Sequence, residues 1–168
     1  MKSEVRSDLR AGARRFGLVV SRFNEEICRA LEDGARTCLL AHGASESAIS
    51  TFRVPGAFEI PAAARVLLES GRVDAIVALG VVIRGETPHF GYVCDAVTAG
   101  LSRLAYDAGR PVAFGVLTVD SVEQARERAG GARGNKGWEA ALAALEMAEL
   151  LDGFFEAPRV GFRRLERP

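Results

Sequence analysis

The 168-residue sequence predicts an α/β protein, a single-domain open parallel four-stranded sheet flanked by helices on both faces. Three observations predict it. Four short apolar runs rich in Val, Ile, Leu and Phe alternate with segments of helical spacing, and the third run is apolar on both parities of its alternation. A strand of that kind is covered on both faces, as in a parallel sheet sandwiched between helices. With 48% hydrophobic and 26% charged residues, the chain has enough apolar material for one real core.

In order, the runs at 16–20, 48–54, 73–83 and 111–119 read as strands. The segments at 24–41, 58–70, 89–108, 121–129 and 135–151 read as helices, the last two being one helical stretch broken around Gly130, Gly131 and Gly134. Asn24 is expected to cap the first helix. Gly43 is expected to end it, with His42 as a C-terminal capping residue. Ser121 and Gln124 form a Ser-x-x-Gln capping box ahead of the fourth helix. Residues 1–15 and 153–168 lack clear periodicity and are expected to be mobile tails on a unit spanning 16–152. In the last helix Glu139, Glu146 and Glu149 project within about 80° of one another at 100° per residue, and nearly all the rest is apolar. That pattern predicts a second buried face, against a partner subunit.

The charge balance narrows the partners. The 22 basic residues cancel the 22 acidic ones, which leaves no electrostatic footprint for nucleic acid or an anionic membrane. No stretch approaches the roughly 20 apolar residues of a membrane span. The N-terminus carries Arg6, Arg10, Arg14 and Arg15 with no apolar segment behind them, so a cytoplasmic location is expected. Cys28 and Cys38 would lie about 15 Å apart along one helix, too far to bridge, and all three cysteines are expected to be reduced and mostly buried.

In open parallel sheets ligands bind beyond the carboxyl ends of the strands, and the unusual residues collect there. The loop after the third strand reads Arg84-Gly85-Glu86-Thr87-Pro88-His89. Gly85 allows close backbone approach, and the amides of Glu86 and Thr87 point outward at the positive end of a helix. The loop thus offers an anion site with a general base beside it; a plain turn with a surface histidine has the same composition. Phe23, at the end of the first strand, suits stacking of a flat ring as well as ordinary packing. Lys136, in the turn Gly134-Asn135-Lys136-Gly137, and Arg128, at a helix end, are candidate anion ligands, though a solvated lysine and a dipole-complementing arginine would look the same. Glycine-rich nucleotide loops, a Gly-x-Ser-x-Gly elbow and Cys-x-x-Cys pairs are absent. With only His42 and His89, no histidine-rich metal site is expected, and no cofactor is called for.

Together the segments SRFN, VPGAFEIP, GVVIRGETPHF, EQARERAG and GNKG resemble the lumazine synthase family in identity, order and spacing over roughly residues 16–151. The resemblance implies a flavodoxin-like three-layer fold. It implies a cofactor-free condensation of 5-amino-6-(D-ribitylamino)uracil with 3,4-dihydroxy-2-butanone 4-phosphate in riboflavin biosynthesis. By the same resemblance Phe23 stacks on the pyrimidine, and Ala57, Phe58, Glu59, Val81, Val82 and Ile83 hold its ring and ribityl chain. Glu86 and Thr87 contact the phosphate, the former through its amide with the carboxylate turned away. Arg128 supplies positive charge, His89 moves protons, Phe114 closes the pocket and Lys136 lies nearby.

Phe114 and Arg128 are expected from the neighbouring subunit of a homopentamer, five chains of 18.0 kDa or about 90 kDa. Twelve pentamers in a 60-subunit shell are compatible with the short link at 130–133, and riboflavin synthase is a further implied partner. Two departures stand out: Gly91 replaces the acidic residue common in the family, and the tail with Phe154, Phe155, Arg159, Arg163 and Arg164 extends past the family pattern. The alternative is a poorly active paralogue acting as a flavin- or lumazine-binding or shell-forming assembly protein.

Overall fold

The computed structural model describes residues 8–156, with side chains described to residue 153. Of the residues singled out above, Arg6, Arg159, Arg163 and Arg164, and the side chains of Phe154 and Phe155, lie outside what is described. The elements run β1 (Phe16–Ser21), α1 (Glu25–Ala41), β2 (Ile49–Val54), α2 (Ile60–Glu69), β3 (Ala75–Ile83), α3 (His89–Ala108), β4 (Val112–Val119), α4 (Val122–Arg128), β5 (Ala129–Gly131), β6 (Gly134–Asn135) and α5 (Lys136–Glu156). The four main strands are all parallel, in the order β2-β1-β3-β4. The order therefore reverses between β1 and β3, and the crevice beyond the carboxyl ends of those two strands is where such a sheet binds ligands.

Alternation along the central strands sorts the core into two layers. Leu18, Val20, Val77, Leu79 and Val81 face α1 and α5, in one cluster with Leu31, Cys38, Ala141 and Leu145. Val19, Ile76 and Ala78 face the other way, in a cluster with Ile60, Ala64, Val97 and Leu101 of α2 and α3. Every residue of β1 is buried, as are the first seven of β3, which is why the third run reads apolar on both parities.

Local details differ from the sequence reading in instructive ways. Asn24 takes a left-handed conformation (φ 57°) and makes no side-chain cap; it turns the chain from β1 into α1. The Ser121 hydroxyl does accept from the Gln124 amide at 3.2 Å, but the Gln124 side chain accepts from the Asp120 amide at 3.0 Å rather than from Ser121, so the box is displaced by one residue. The glycines at 130–134 form a small antiparallel hairpin, β5 with β6, between α4 and α5. His42 does cap α1, fully buried, with Nδ1 2.7 Å from the Cys38 carbonyl and its ring edge-on to Trp138.

Residues 9–15, ahead of β1, pack against the body. Leu9 and Ala11 are buried, the Ala11 amide donates to the His42 carbonyl at 2.9 Å, and Arg15 forms a two-pronged ion pair with Asp74. On the last helix, Trp138, Ala141, Ala144, Leu145 and Ala148 are buried within the chain, because α5 lies in the angle between α1 and the sheet. That intrachain contact accounts for most of the apolar circumference that the sequence reading assigned to a partner. An exposed apolar stripe of Ala143, Met147 and Leu150 nevertheless remains on α5, and α3 carries another unpartnered face, where only Val97 and Leu101 of 20 residues are buried and Tyr92 and Tyr106 stand in solvent.

The close approach of α1 and α5 depends on two glycines. A Cβ on Gly137 would fall 1.8 Å from the Leu31 carbonyl oxygen, and one on Gly34 would fall 2.2 Å from Asn135 Oδ1. Asn135 is the cap of α5: its Oδ1 accepts from the amides of Gly137 (2.8 Å) and Trp138 (3.2 Å), while its Nδ2 donates to the Ala30 carbonyl of α1 (2.8 Å). One side chain thus starts a helix and bolts it to its neighbour.

Candidate active site

Phe23 is presented by its backbone. The buried Ser21 hydroxyl accepts from the Phe23 amide (3.1 Å) and the Cys28 thiol donates to the Phe23 carbonyl (3.2 Å), so the residue is clasped on both sides while its ring is 70% exposed. Burial pushes the Cys28 thiol up to about 11, leaving it a hydrogen-bonding hydrophobe rather than a nucleophile. Sequence reasoning named Phe23 and missed the clasp, although Ser21 belongs to the same SRFN segment.

The loop after β2 folds on itself. Glu59 accepts from the Gly56 amide at 2.8 Å, which fixes a 3-10 turn over Ala57–Glu59 and leaves Phe58 exposed with Ala57 buried beneath it. The loop after β3 is held at both ends. The Arg84 amide donates to the Val119 carbonyl (2.9 Å), and its guanidinium pairs with Asp120 (2.7 Å) while lying 4.2 Å over the Phe90 ring. Neither Arg84 nor Asp120 was singled out from the sequence. Between these anchors Gly85, Glu86, Thr87 and His89 are solvent-exposed, with Pro88 at the head of α3. The His89 ring makes no hydrogen bond or ion pair among the described residues, and Gly91, two positions on, has no side chain to offer it one.

These loops enclose a cavity of about 570 Å³ at the β1/β3 switch point. Phe23, Ala57, Phe58, Glu59, Val81, Val82, Ile83, Thr87 and His89 all line it; Glu86 is exposed beside it and does not. Phe114, Arg128 and Lys136 lie elsewhere. They line a second, shallower concavity of about 240 Å³ on the outer strand β4 and the α4–α5 connection. There Arg128 donates to the Gln124 carbonyl (2.9 Å) and Lys136 pairs with Glu139 (2.5 Å). A groove of about 630 Å³ between α2 and α3 is larger than either, but its charged residues are matched among themselves, Arg65 with Glu69 (2.7 Å) and Arg103 with Asp107 (3.2 Å), and none of the strand-end loops reaches it. Among the described residues no group of three His, Cys, Asp or Glu side chains is placed to hold a metal ion.

A fold with its cavity at the switch point admits many activities, and the comparison with known proteins decides among them. The family profile described as 6,7-dimethyl-8-ribityllumazine synthase matches residues 13–152. A protein of that name from Syntrophus aciditrophicus (strain SB) is 53% identical over 137 residues, covering 82% of this chain and 89% of the relative. The chain belongs to the 6,7-dimethyl-8-ribityllumazine synthase family. The enzyme activity is that of the lumazine synthase family, in riboflavin biosynthesis: condensation of 5-amino-6-(D-ribitylamino)uracil with 3,4-dihydroxy-2-butanone 4-phosphate to 6,7-dimethyl-8-ribityllumazine, with release of phosphate and water. Nothing in the comparisons favours the alternative of a poorly active paralogue acting as a flavin- or lumazine-binding or shell-forming assembly protein. The lumazine synthase match begins at residue 13, within the segment that Arg14 and Arg15 pin to the body.

Proposed function

We propose that each catalytic site is assembled from two chains of a homopentamer, the cavity at the β1/β3 switch point meeting the β4 concavity of the next subunit. One observation carries the reading: the residues expected to share a site occupy two separate concavities of a single chain. A cyclic head-to-tail contact joins two such unlike surfaces around a ring. The unpartnered face of α3, with Tyr92 and Tyr106 exposed, supplies apolar area for such a contact. A cytoplasmic setting is part of the proposal, supported by three cysteines that are all free.

In this arrangement the pyrimidine stacks on Phe23, and Phe58 and the apolar end of β3 enclose its other side. The phosphate of the second substrate lies where the amides of residues 85–87 meet Arg128 and Lys136 of the adjacent chain. The pyrimidine brings its own amine, which attacks the ketone to give an imine with loss of water, so the enzyme needs no nucleophile of its own. Phosphate is then expelled, and the ribitylamino nitrogen closes the ring on the remaining carbonyl with loss of a second water. Holding the two reactants in near-attack geometry supplies on the order of 7–11 kcal/mol. His89, exposed at the cavity rim and without a hydrogen bond among the described residues, transfers protons between the successive intermediates, and Arg128 stabilises the departing phosphate.

The test is complementation. His89→Ala and Arg128→Ala chains, each of low activity alone, are unfolded together and reassembled. Recovered lumazine formation is expected, because some junctions then join an intact His89 to an intact Arg128. Verified mixed assemblies with no recovery would place the whole site within one chain.

A further inference from the structure

Lys136 and Arg128 line the same concavity, but their charges are not equivalent. Lys136 is the first residue of α5, fixed there by the Asn135 cap, and its Nζ donates to Oε2 of Glu139 one turn on at 2.5 Å. The other oxygen of that carboxylate, Oε1, is buried with no hydrogen-bond donor among the described residues. A carboxylate screened on one side and committed on the other directs its charge onto its single partner. Arg128, by contrast, gives one guanidinium nitrogen to a neutral carbonyl and lies 3.8 Å from Glu127, at the outer limit of an ion pair. The concavity therefore holds one effective positive charge, on Arg128, and one neutralised pair.

We infer that Glu139 is a positioning residue that holds Lys136 at the rim of the site and cancels its charge, so that the phosphate-bearing substrate is captured by Arg128 and its phosphate product is not bound too tightly to leave. The inference rests on the reading of this concavity as the phosphate half of the site. Lys136, fixed at the N-terminus of α5, contributes a directed N–H donor rather than a free ammonium. Because inorganic phosphate must leave the site in each turnover, a doubly charged pocket would slow the cycle.

The experiment uses inorganic phosphate as a competitive inhibitor against the phosphate ketone, with the assembled enzyme. Glu139→Gln keeps the shape and removes the charge. It should tighten phosphate inhibition about three-fold while lowering kcat, a direction that mere loss of structure does not produce. Lys136→Met leaves the Glu139 carboxylate unpaired one turn into α5 and should weaken phosphate about three-fold. The double variant should return close to the wild-type inhibition constant, and Glu139→Asp, which keeps the charge, should match wild type. Should Glu139→Gln fail to assemble, the comparison of Lys136→Met with the double variant carries the same information. Weaker or unchanged inhibition in Glu139→Gln, or a double variant no better than Lys136→Met, would overturn the assignment of Glu139. Arg128→Ala separates the two levels: if it too leaves phosphate inhibition unchanged, the concavity is not the phosphate half-site and both readings fall.

Discussion

Asn135 occupies the space that a side chain on Gly34 would need, and the three hydrogen bonds of its amide hold it there. Gly34→Ala must therefore displace Asn135, losing the α5 cap and the link to Ala30, at a cost of about 2–4 kcal/mol. Asn135→Ala alone should cost about 1–2 kcal/mol. In the double variant the two penalties should not add, since the displaced group is already gone. Urea unfolding of the four proteins measures this coupling, and additive losses would show that the contact is not what excludes a side chain at position 34.

The Arg15–Asp74 pair predicts a specific acid sensitivity. The Arg15 guanidinium, helped by its backbone amide and by Arg110, holds the Asp74 carboxyl below its usual value of 3.8. A carboxylate with a depressed folded-state value contributes stability above its unfolded value that is lost as pH falls through the folded one. Asp74→Asn should lower stability at neutral pH by about 1 kcal/mol, discounting for the partly exposed partner, and the difference from wild type should vanish as pH drops well below 3.8. Melting temperatures between pH 2 and pH 7 are the measurement; equal slopes for the two proteins would refute the assignment.

His89→Ala should lower kcat by about 10- to 10³-fold, below the ceiling for a positioned acid or base because water reaches an exposed site. The affinity for the pyrimidine should change little if, as proposed, Phe23 and Phe58 provide its contacts. An unaltered kcat would remove His89 from the proton transfers.

Arg128→Ala should raise KM for the phosphate ketone at least about ten-fold while leaving KM for the pyrimidine within about two-fold. Steady-state titrations of each substrate decide it. A parallel rise in both would point to damage of the α4–α5 connection instead.

Sedimentation at micromolar protein tests the assembly. A species near 90 kDa, five times 18.0 kDa, is expected, with a 60-subunit shell near 1080 kDa as the larger form. A monomer near 18 kDa that is fully active would contradict a site shared between chains.

The sheet and its helices were legible because burial on both faces of β1 and β3 leaves a continuous apolar signal, and all four strand runs lie within a few residues of their positions. The loop residues that line the main cavity were found because strand ends concentrate unusual residues. What escaped was local hydrogen-bond geometry. Asn24 and Asn135 both precede helices, yet one bends the backbone and the other caps, a choice set by what lies opposite: Ala30 and the gap at Gly34 fix Asn135, while Asn24 meets no such partner. The reach of α5 across α1 was equally hidden, because periodicity reports that a face is apolar and not whether its cover belongs to the same chain. Arg84 and Asp120 left no signal, since an exposed ion pair between residues 36 positions apart carries no pattern along the chain; Glu139 was read only as a polar position of the last helix, without its pairing to Lys136.

On the proposed shared site, two separate half-pockets in one chain also determine how the enzyme tolerates defective copies. If subunits mix at random, a chain lacking only His89 spoils one junction, and so does a chain lacking only Arg128, so activity falls in proportion to their share. A chain lacking both spoils the junction on either side of it. With half the chains doubly defective, only about a quarter of the junctions stay intact, against about half for either single lesion. Divided between two gene copies, the same two lesions also leave about a quarter of the junctions intact, since half the chains then bring an intact His89 and the other half an intact Arg128; a site held within one chain would leave none.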